Sequence, residues 1–278
     1  MTWCHLRKIS LVFLVSLTSI VAFAQGKKHS QPLIVQGQFA NCPEKTLMIW
    51  FRNEQGITSV DTITVDESGK FYLETSKITG PQQGNIQQNN VQLNNLFLAP
   101  GYNLTITGDA RDYATLTKTK KITGIGAESN RYPLLMDSIR IAKNDTTKWY
   151  ELDEKGILAY IDKNKKLKDS LIHAVFNHKV KNDKYFNYFG RMLTVDHNLE
   201  PLYFLLTHAE IHNYDIDRTK KFIKTHFDNT ILSDLYREEY MMSPFYTNWI
   251  MNSAYLTYLC NIDYQKDSTL KADPLYKL

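Results

Sequence analysis

The stretch Val91–Tyr132, VQLNNLFLAPGYNLTITGDARDYATLTKTKKITGIGAESNRY, indicates how this chain is organised. It begins with a strand pattern that ends at Pro100-Gly101, a dipeptide typical of tight turns. A second strand pattern follows, then a connector, a third short strand and Gly124-Ile125-Gly126. Residues before this stretch have the period of strands, and residues after it have the period of helices. The chain is therefore predicted to be an α+β protein.

Alternating apolar and polar residues before Val91 predict an N-terminal β-rich domain, which we place at 33–126. Three segments fit a strand period: Leu33 to Phe39, Thr46 to Arg52 and Ile57 to Val65. Asp66-Glu67-Ser68-Gly69 predicts a hairpin turn in which Gly69 has a positive φ. Ile78 to Asn90 is rich in Gln and Asn, and is predicted to be a surface loop or an irregular edge. Many short strands separated by turns are typical of an antiparallel β-sandwich or a barrel-like domain.

Apolar residues recur at helical spacing in the second half, and predict an all-helical segment at 127–264. Pro133 is tolerated there only in the first turn of a helix. Pro201 is predicted to open a further helix, because proline favours the first helical position. Another helix is predicted to start at Pro244, and a polar tail is expected at 265–278.

The first 24 residues have the three parts of a secretory signal peptide. These parts are the basic pair Arg7 and Lys8, the apolar run Leu11 to Phe23, and the cleavage signature Ala22-Phe23-Ala24. The predicted mature chain begins at Gln25 with a flexible lead-in at 25–32. Since no other long apolar run occurs, we expect a periplasmic or secreted protein without a transmembrane segment in the mature chain.

Composition and charge exclude some classes of partner. Hydrophobic residues make up 43% of the 278-residue chain, which is enough for a sizeable core. Cleavage of the signal peptide removes Arg7 and Lys8, so the formal net charge falls from +4 to +2. A nearly neutral exported protein has no electrostatic reason to bind nucleic acid, and we predict that it does not.

Export also affects how the cysteines are interpreted, because disulfides persist in oxidising compartments. The mature chain contains only Cys42 and Cys260, and it has no Cys-x-x-Cys motif. A disulfide between these two residues requires their Cα atoms to lie within about 7 Å of each other. The alternative is a pair of separate buried thiols.

The motif His208-Ala209-Glu210-Ile211-His212 is the candidate for a metal site. Two histidines four residues apart share a helix face and are able to bind Zn²⁺. The zincin pattern places glutamate directly after the first histidine. Here Glu210 lies roughly 200° around the helix from His208, at about 100° per residue. The two histidines are thus either metal ligands or packed helix residues, and we predict no cofactor.

Gly124-Ile125-Gly126 follows a strand and precedes a helix, as in a dinucleotide-binding loop. Ser129 stands where that fingerprint has its third glycine, and the preceding strands have an antiparallel pattern. The glycines are therefore interpreted as a backbone turn between the β-domain and the helices. No Gly-x-Ser-x-Gly elbow marks a serine nucleophile, and we predict no catalytic residue.

Two aromatic clusters occur in the helical segment, at Tyr185–Phe189 and Tyr240–Trp249. Large aromatic side chains commonly fill cores. Where such a cluster is exposed, it marks a contact surface. The clusters are therefore either core residues or the lining of a groove that binds a peptide or a glycan.

Several motifs, in this order and spacing, resemble a known family. They are Asp61-Thr62, Asp66-Glu67-Ser68-Gly69-Lys70-Phe71, Leu98-Ala99-Pro100-Gly101, Leu104-Thr105-Ile106 and Gly124-Ile125-Gly126-Ala127-Glu128-Ser129-Asn130. The family is the N-terminal domain of unknown function in Bacteroidota-type envelope proteins of the thiol–disulfide oxidoreductase class (TlpA/ResA-like). The resemblance covers 33–141.

The resemblance implies an envelope protein. In the family, a signal sequence precedes a small β-domain, a helical segment and a C-terminal thioredoxin-like domain with Trp-Cys-x-x-Cys. The family's redox residues have no matching positions here, because this chain lacks Cys-x-x-Cys. The resemblance thus implies either a non-catalytic interaction or positioning module or a fragment of a full oxidoreductase. The expected partners are envelope proteins or a thioredoxin-like domain.

Overall fold

The computed structural model describes residues 31–52, 58–143, 147–232, 238–243 and 246. The strands of this part of the chain are β1 (Leu33–Ala40), β2 (Thr46–Arg52), β3 (Thr58–Thr64), β4 (Lys70–Thr75), β5 (Gln82–Gln88), β6 (Val91–Leu98), β7 (Asn103–Asp109) and β8 (Lys121–Ile125). The predicted signal peptide, the polar tail, Cys260 and, apart from Tyr246, the helix predicted from Pro244 lie outside the described residues.

The helices are α1 (Tyr113–Thr119), α2 (Arg131–Lys143), α3 (Glu154–Phe176), α4 (Phe186–Ile211), α5 (Ile216–His226) and α6 (Asn229–Leu232). Two 3₁₀ turns are present at Trp149–Glu151 and Glu238–Met242. No helix in the described ranges is both long and apolar enough to cross a membrane.

The strands form two four-stranded sheets. The first sheet has the order β4-β1-β7-β8, and the second has the order β3-β2-β5-β6. All pairs are antiparallel except β1 and β7, which run parallel in the first sheet. The predicted α+β class is confirmed, with strands followed by helices, and neither sheet closes into a barrel within the described residues.

The two sheets enclose one hydrophobic core. Alternate residues of β1, such as Leu33 and Val35, are fully buried in the same cluster as Ile49 of β2 and Leu104 of β7. Complete burial of one such side chain stabilises the fold by about 1.5–3 kcal/mol. The period-two pattern in the sequence therefore records which side chains face the other sheet.

The predicted turns occur where the glycines allow them. Gly69 has φ +79° and its N–H donates to the Asp66 carbonyl oxygen at 2.9 Å, which confirms the hairpin turn. Gly101 has φ +81° in the turn that joins β6 to β7, where Tyr102 N donates to Ala99 O. Both conformations are readily adopted by glycine.

The prediction of a loop at 78–90 is wrong, because this segment contains β5. The strand pairs with β2 on one side and β6 on the other, so it lies inside the second sheet. Only Gly84 and Ile86 of this strand are buried. A Cβ at Gly84 would lie 2.7 Å from the Trp50 carbonyl oxygen, so the small residue permits this close approach.

Two further differences concern helix positions. The connector after β7 contains α1, whose N-cap Asp112 accepts a hydrogen bond from Thr115 N at 2.7 Å. Pro133 lies in the first turn of α2, as predicted. Pro201 does not open a helix but lies inside α4, between the buried residues Leu199 and Leu202. Packing on both sides offsets the cost of about 3 kcal/mol for an interior proline.

Helix α4 connects two cores. Its first half contributes Phe186, Phe189 and Met192 to the sandwich core, where the rings of Phe97 and Phe189 stack at 4.3 Å. Its second half packs with α3 and α5 in a separate helical cluster around Leu205. The helical segment therefore completes the β-sandwich at one end and forms its own core at the other.

Candidate functional site

The predicted histidine pair lies at the C-terminal end of α4. The rings of His208 and His212 are 4.2 Å apart, so they share a helix face as the spacing predicts. His208 is buried, His212 is exposed, and Glu210 is exposed on another face. His212 Nε2 lies 3.1 Å from the Leu152 carbonyl oxygen, and His208 Nε2 lies 3.5 Å from the Tyr214 hydroxyl.

Through these contacts the histidines of α4 hold Leu152, just before α3, and Tyr214, just before α5. Glu154 of α3 accepts a hydrogen bond from Tyr214 at 3.2 Å and lies 3.9 Å from His226 of α5. Burial lowers the pKa of His208, and the neighbouring His212 lowers it further. Among the described residues, no group of three or more His, Cys, Asp or Glu side chains is arranged to hold a metal ion. Both rings contact protein groups in the described structure.

Cys42 lies in the turn between β1 and β2 and is half-buried. Its Sγ donates to the Glu44 carbonyl oxygen at 3.6 Å. Burial raises the pKa of the thiol, which lowers its fraction of reactive thiolate. The choice between a disulfide with Cys260 and two separate thiols is not tested, because Cys260 lies outside the described residues.

Gly124 and Gly126 allow close packing of the backbone. Gly124 is in β8, antiparallel to β7, and a Cβ there would lie 2.1 Å from the Asn103 carbonyl oxygen. At Gly126, where φ is +95°, a Cβ would lie 2.4 Å from the Tyr102 ring. Both sites are filled by the protein itself, so the interpretation as a backbone turn fits the geometry.

The residues after these glycines connect the sandwich to the helices. Ser129 Oγ donates to Asp183 Oδ2 at 2.6 Å, and the Tyr102 hydroxyl donates to Asp183 Oδ1 at 2.6 Å. Tyr185 N donates to the same carboxylate at 3.1 Å. Desolvation and the hydrogen bond to Asp183 raise the pKa of Tyr102. A buried carboxylate that accepts three hydrogen bonds is well satisfied, and here it holds the segment before α4 against the sandwich.

The aromatic cluster at 185–189 packs on this connection. Phe186 and Phe189 are buried, and Tyr185 meets the Tyr102 ring edge-on at 5.9 Å. In the other cluster, Tyr240 and Tyr246 are buried, while Trp249 lies outside the described residues. The described aromatic side chains of both clusters are therefore buried or half-buried, whereas Asn187 and Met241 are exposed.

The surface of greatest interest is the outer face of the first sheet. Strand pairing aligns its outward side chains in three rows: Lys70, Gln38, Thr107 and Lys121; Tyr72, Gln36, Thr105 and Thr123; Glu74, Ile34, Asn103 and Ile125. We call these twelve residues the Tyr72 face. Its middle row carries no formal charge, two lysines lie at one end, and one glutamate lies at the other.

The Tyr72 face contains a shallow depression with a volume of about 750 Å³. Its lining includes Gln36, Tyr72, Thr105 and Thr107, and the β3–β4 turn borders it at Asp66. The Tyr72 side chain is 55% exposed. A concave surface with an aromatic ring and several polar groups is a candidate ligand site.

Hydrogen bonds orient the side chains of this face. Gln36 Nε2 donates to Asn103 Oδ1 at 3.1 Å, and Gln38 Nε2 donates to the Ser68 carbonyl oxygen at 2.8 Å. The Tyr72 hydroxyl donates to Glu74 Oε2 at 2.7 Å, and this bond raises the pKa of Tyr72. Each amide has two donor hydrogens and two acceptor lone pairs, so one bond uses only part of its capacity.

Sequence reasoning did not identify the Tyr72 face. The signal was present, because Gln36 and Gln38 alternate with buried residues, as do Thr105 and Thr107. What the sequence could not supply is the order of the strands, which places β4, β1, β7 and β8 side by side.

Comparison with protein-family models, with curated proteins and with solved structures finds no match to this chain. The class of protein is therefore defined by the fold alone, an α+β protein with a β-sandwich followed by helices.

Proposed function

We propose that the mature chain is a non-catalytic interaction module of the cell envelope, and that the Tyr72 face is its binding surface. The observation that carries this proposal is the row of Tyr72, Gln36, Thr105 and Thr123, which combines an exposed aromatic ring with uncharged hydrogen-bonding groups. The first three of these residues line the depression. A rigid sheet presents these groups at fixed spacing, which favours binding without rearrangement.

The location in the envelope rests on the N-terminal sequence. Arg7, Lys8 and the apolar run before Ala24 support export, and the family resemblance supports the periplasm in particular. The same resemblance favours an envelope protein or a thioredoxin-like domain as a further partner of the chain, and it does not assign that partner to the Tyr72 face. The low net charge of the mature chain argues against nucleic acid.

The non-catalytic assignment is supported by the surroundings of the side chains that could react. His208 and His212 contact Tyr214 and Leu152, which precede the neighbouring helices, and the buried Asp183 accepts three hydrogen bonds from within the protein. Cys42 has a raised pKa and no second cysteine in a Cys-x-x-Cys motif. A thiol–disulfide exchange reaction needs a thiolate and a resolving partner.

Two measurements test this proposal. In an insulin precipitation assay with dithiothreitol, we expect the purified mature protein to leave the rate unchanged, and acceleration would contradict the non-catalytic assignment.

The second measurement places a photo-cross-linking phenylalanine analogue at Tyr72, in living cells. We expect an adduct with an envelope component there, and none at the matched position Tyr150, which is 44% exposed in the helical half. Equal labelling at both positions would refute the Tyr72 face as the binding surface.

A second candidate function follows from the resemblance alone: the chain is a fragment of a complete thiol–disulfide oxidoreductase. This candidate predicts a Trp-Cys-x-x-Cys motif in frame in the coding sequence downstream of Leu278. Reading that sequence tests it directly.

A further inference from the structure

We propose that the Tyr72 face binds an extended, uncharged polysaccharide. This inference rests on the proposed function, since it names the class of ligand for the same surface. The middle row of the face spans four strands, which are about 4.8 Å apart, and so extends for about 14 Å. This length accommodates a short run of sugar rings laid across the strands.

The side chains of the face match the chemistry of sugar hydroxyls. A hydroxyl group both donates and accepts, so its best partners are groups that also do both. Gln36, Gln38 and Asn103 are amides, and Thr105 and Thr123 are hydroxyls, so all five have this property. Because the bonds to Asn103 and Ser68 already orient the two glutamines, little side-chain entropy is lost on binding.

Tyr72 supplies the apolar contact that a sugar ring also needs. One face of a pyranose ring exposes C–H groups, which pack on the flat surface of an aromatic ring. The hydrogen bond from the Tyr72 hydroxyl to Glu74 restrains the ring on the outer surface of β4. The ring is paired across the strands with Gln36, so stacking and hydrogen bonding act on neighbouring parts of one ligand.

The distribution of charge selects a neutral ligand. The middle row has no charged side chain, while Lys70 and Lys121 lie in one outer row and Glu74 lies in the other. Lys70 and Lys121 on one side of the middle row are offset by Glu74 on its other side and by Asp66 at the border of the depression, so an acidic chain along this row would gain little net attraction. A neutral polyol has no such preference.

A protein partner fits this face less well. Protein interfaces are centred on buried apolar or aromatic anchors, whereas the centre of this face consists of Gln36 and Thr105. Addition of a peptide strand requires an unpaired sheet edge. The central strands β1 and β7 are paired on both sides, so a peptide strand would add beside the edge strand β4 and not across the middle row.

Affinity electrophoresis in native gels tests the proposal with the mature protein. The gels contain laminarin, glycogen, galactomannan or, as the acidic comparison, polygalacturonate. We expect retardation by at least one neutral polysaccharide. Tyr72→Ala should weaken that retardation about tenfold, the effect of losing one aromatic stacking contact. Tyr150→Ala is the matched control and should bind as the original protein does.

A second pair of variants covers the case in which Tyr72→Ala does not fold, as judged by circular dichroism. Gln36→Glu places a charge in the neutral row and should reduce retardation, whereas Gln92→Glu, on the outer face of the second sheet, should not. Retardation by polygalacturonate alone, by no polysaccharide, or equally in all variants would overturn the proposal. If the polysaccharide proposal is overturned but position 72 still cross-links to an envelope protein, the proposed interaction module is retained and only its glycan ligand is rejected. If position 72 forms no adduct either, both proposals fail.

Discussion

The side chain of Asn130 pairs with the backbone of Phe97 as a neighbouring strand would. Asn130 Nδ2 donates to the Phe97 carbonyl oxygen at 2.9 Å, and Phe97 N donates to Asn130 Oδ1 at 2.9 Å. Phe97 lies on β6, the edge strand of the second sheet, and both residues are buried. Asn130, at the start of the helical segment, therefore supplies the hydrogen-bond partners that the backbone of this edge strand lacks. This contact joins the β-sandwich to the helices.

Replacing this side chain should weaken the fold. Asn130→Ala leaves the N–H and the carbonyl of Phe97 without these partners, and each buried unsatisfied group costs about 1–3 kcal/mol. We expect the free energy of unfolding to fall by about 2–4 kcal/mol, measured by urea denaturation. Asn164→Ala, a substitution on α3, is the control and should change stability by less than about 0.5 kcal/mol. An equal loss in both variants would contradict the role of Asn130.

The Tyr102–Ser129–Asp183 cluster should behave as one unit. Tyr102→Phe removes a hydroxyl that donates to Asp183, and Ser129→Ala removes another. Each change should destabilise the protein by about 1–3 kcal/mol, because the buried carboxylate loses a donor. The double variant should depart from additivity by at least about 0.5 kcal/mol in urea denaturation. Strict additivity would show that the two hydroxyls act independently, and Tyr150→Phe serves as the neutral control.

Gly126 should be intolerant of a side chain. Gly126→Ala places a methyl group 2.4 Å from the Tyr102 ring at φ +95°. Left-handed backbone costs a non-glycine residue about 1–2 kcal/mol, and overpacking adds about 1–3 kcal/mol. We expect a clear fall in melting temperature by calorimetry. At Gly80 a Cβ would meet nothing within 4 Å, so Gly80→Ala is the matched control and should melt with the original protein.

The buried histidines should make the fold sensitive to acid. Burial lowers the pKa of His197 and of His208, so the unfolded chain takes up protons at a higher pH than the folded chain does. Their contribution to stability is therefore present above about pH 6.5, the unfolded value, and is lost as the pH falls below it.

His208 provides the test of this pH dependence. It faces His212 on α4, Asp153 and Glu154 at the start of α3, and Arg218 on α5. His208→Gln should flatten the slope of unfolding free energy against pH between about 5 and 7, whereas Asn164→Ala, which removes no titrating group, should leave the slope unchanged. Urea denaturation at several pH values measures both. An unchanged slope in His208→Gln would refute the assignment.

Local patterns predicted much of the sandwich. Alternation in β1 and β7 identified the buried residues, because a strand with one face in the core must alternate. Gly69 was predicted at positive φ from its turn, and the helical period after Gly126 marked the change of secondary structure. These features depend on neighbouring residues in the chain, so a pattern in the sequence contains them.

Long-range pairing overrode local pattern elsewhere. The Gln- and Asn-rich segment of β5 was predicted to be a loop, yet backbone hydrogen bonds to β2 and β6 hold it inside a sheet. Pro201 was predicted to start a helix, yet α4 continues through this residue, with the buried Leu199 and Leu202 packed on either side of it. Neither outcome is visible locally, because the compensating contacts come from residues distant in sequence.

The Tyr72 face likewise depends partly on local sequence and partly on the pairing of distant strands. The outward residues Gln36, Tyr72 and Thr105 were each identifiable as solvent-facing positions of separate strands. Their assembly into one row required the parallel pairing of β1 with β7 and the antiparallel pairing of β1 with β4. A sequence specifies the direction in which each side chain points from its own strand, while the free energy of the whole core selects which strands become neighbours.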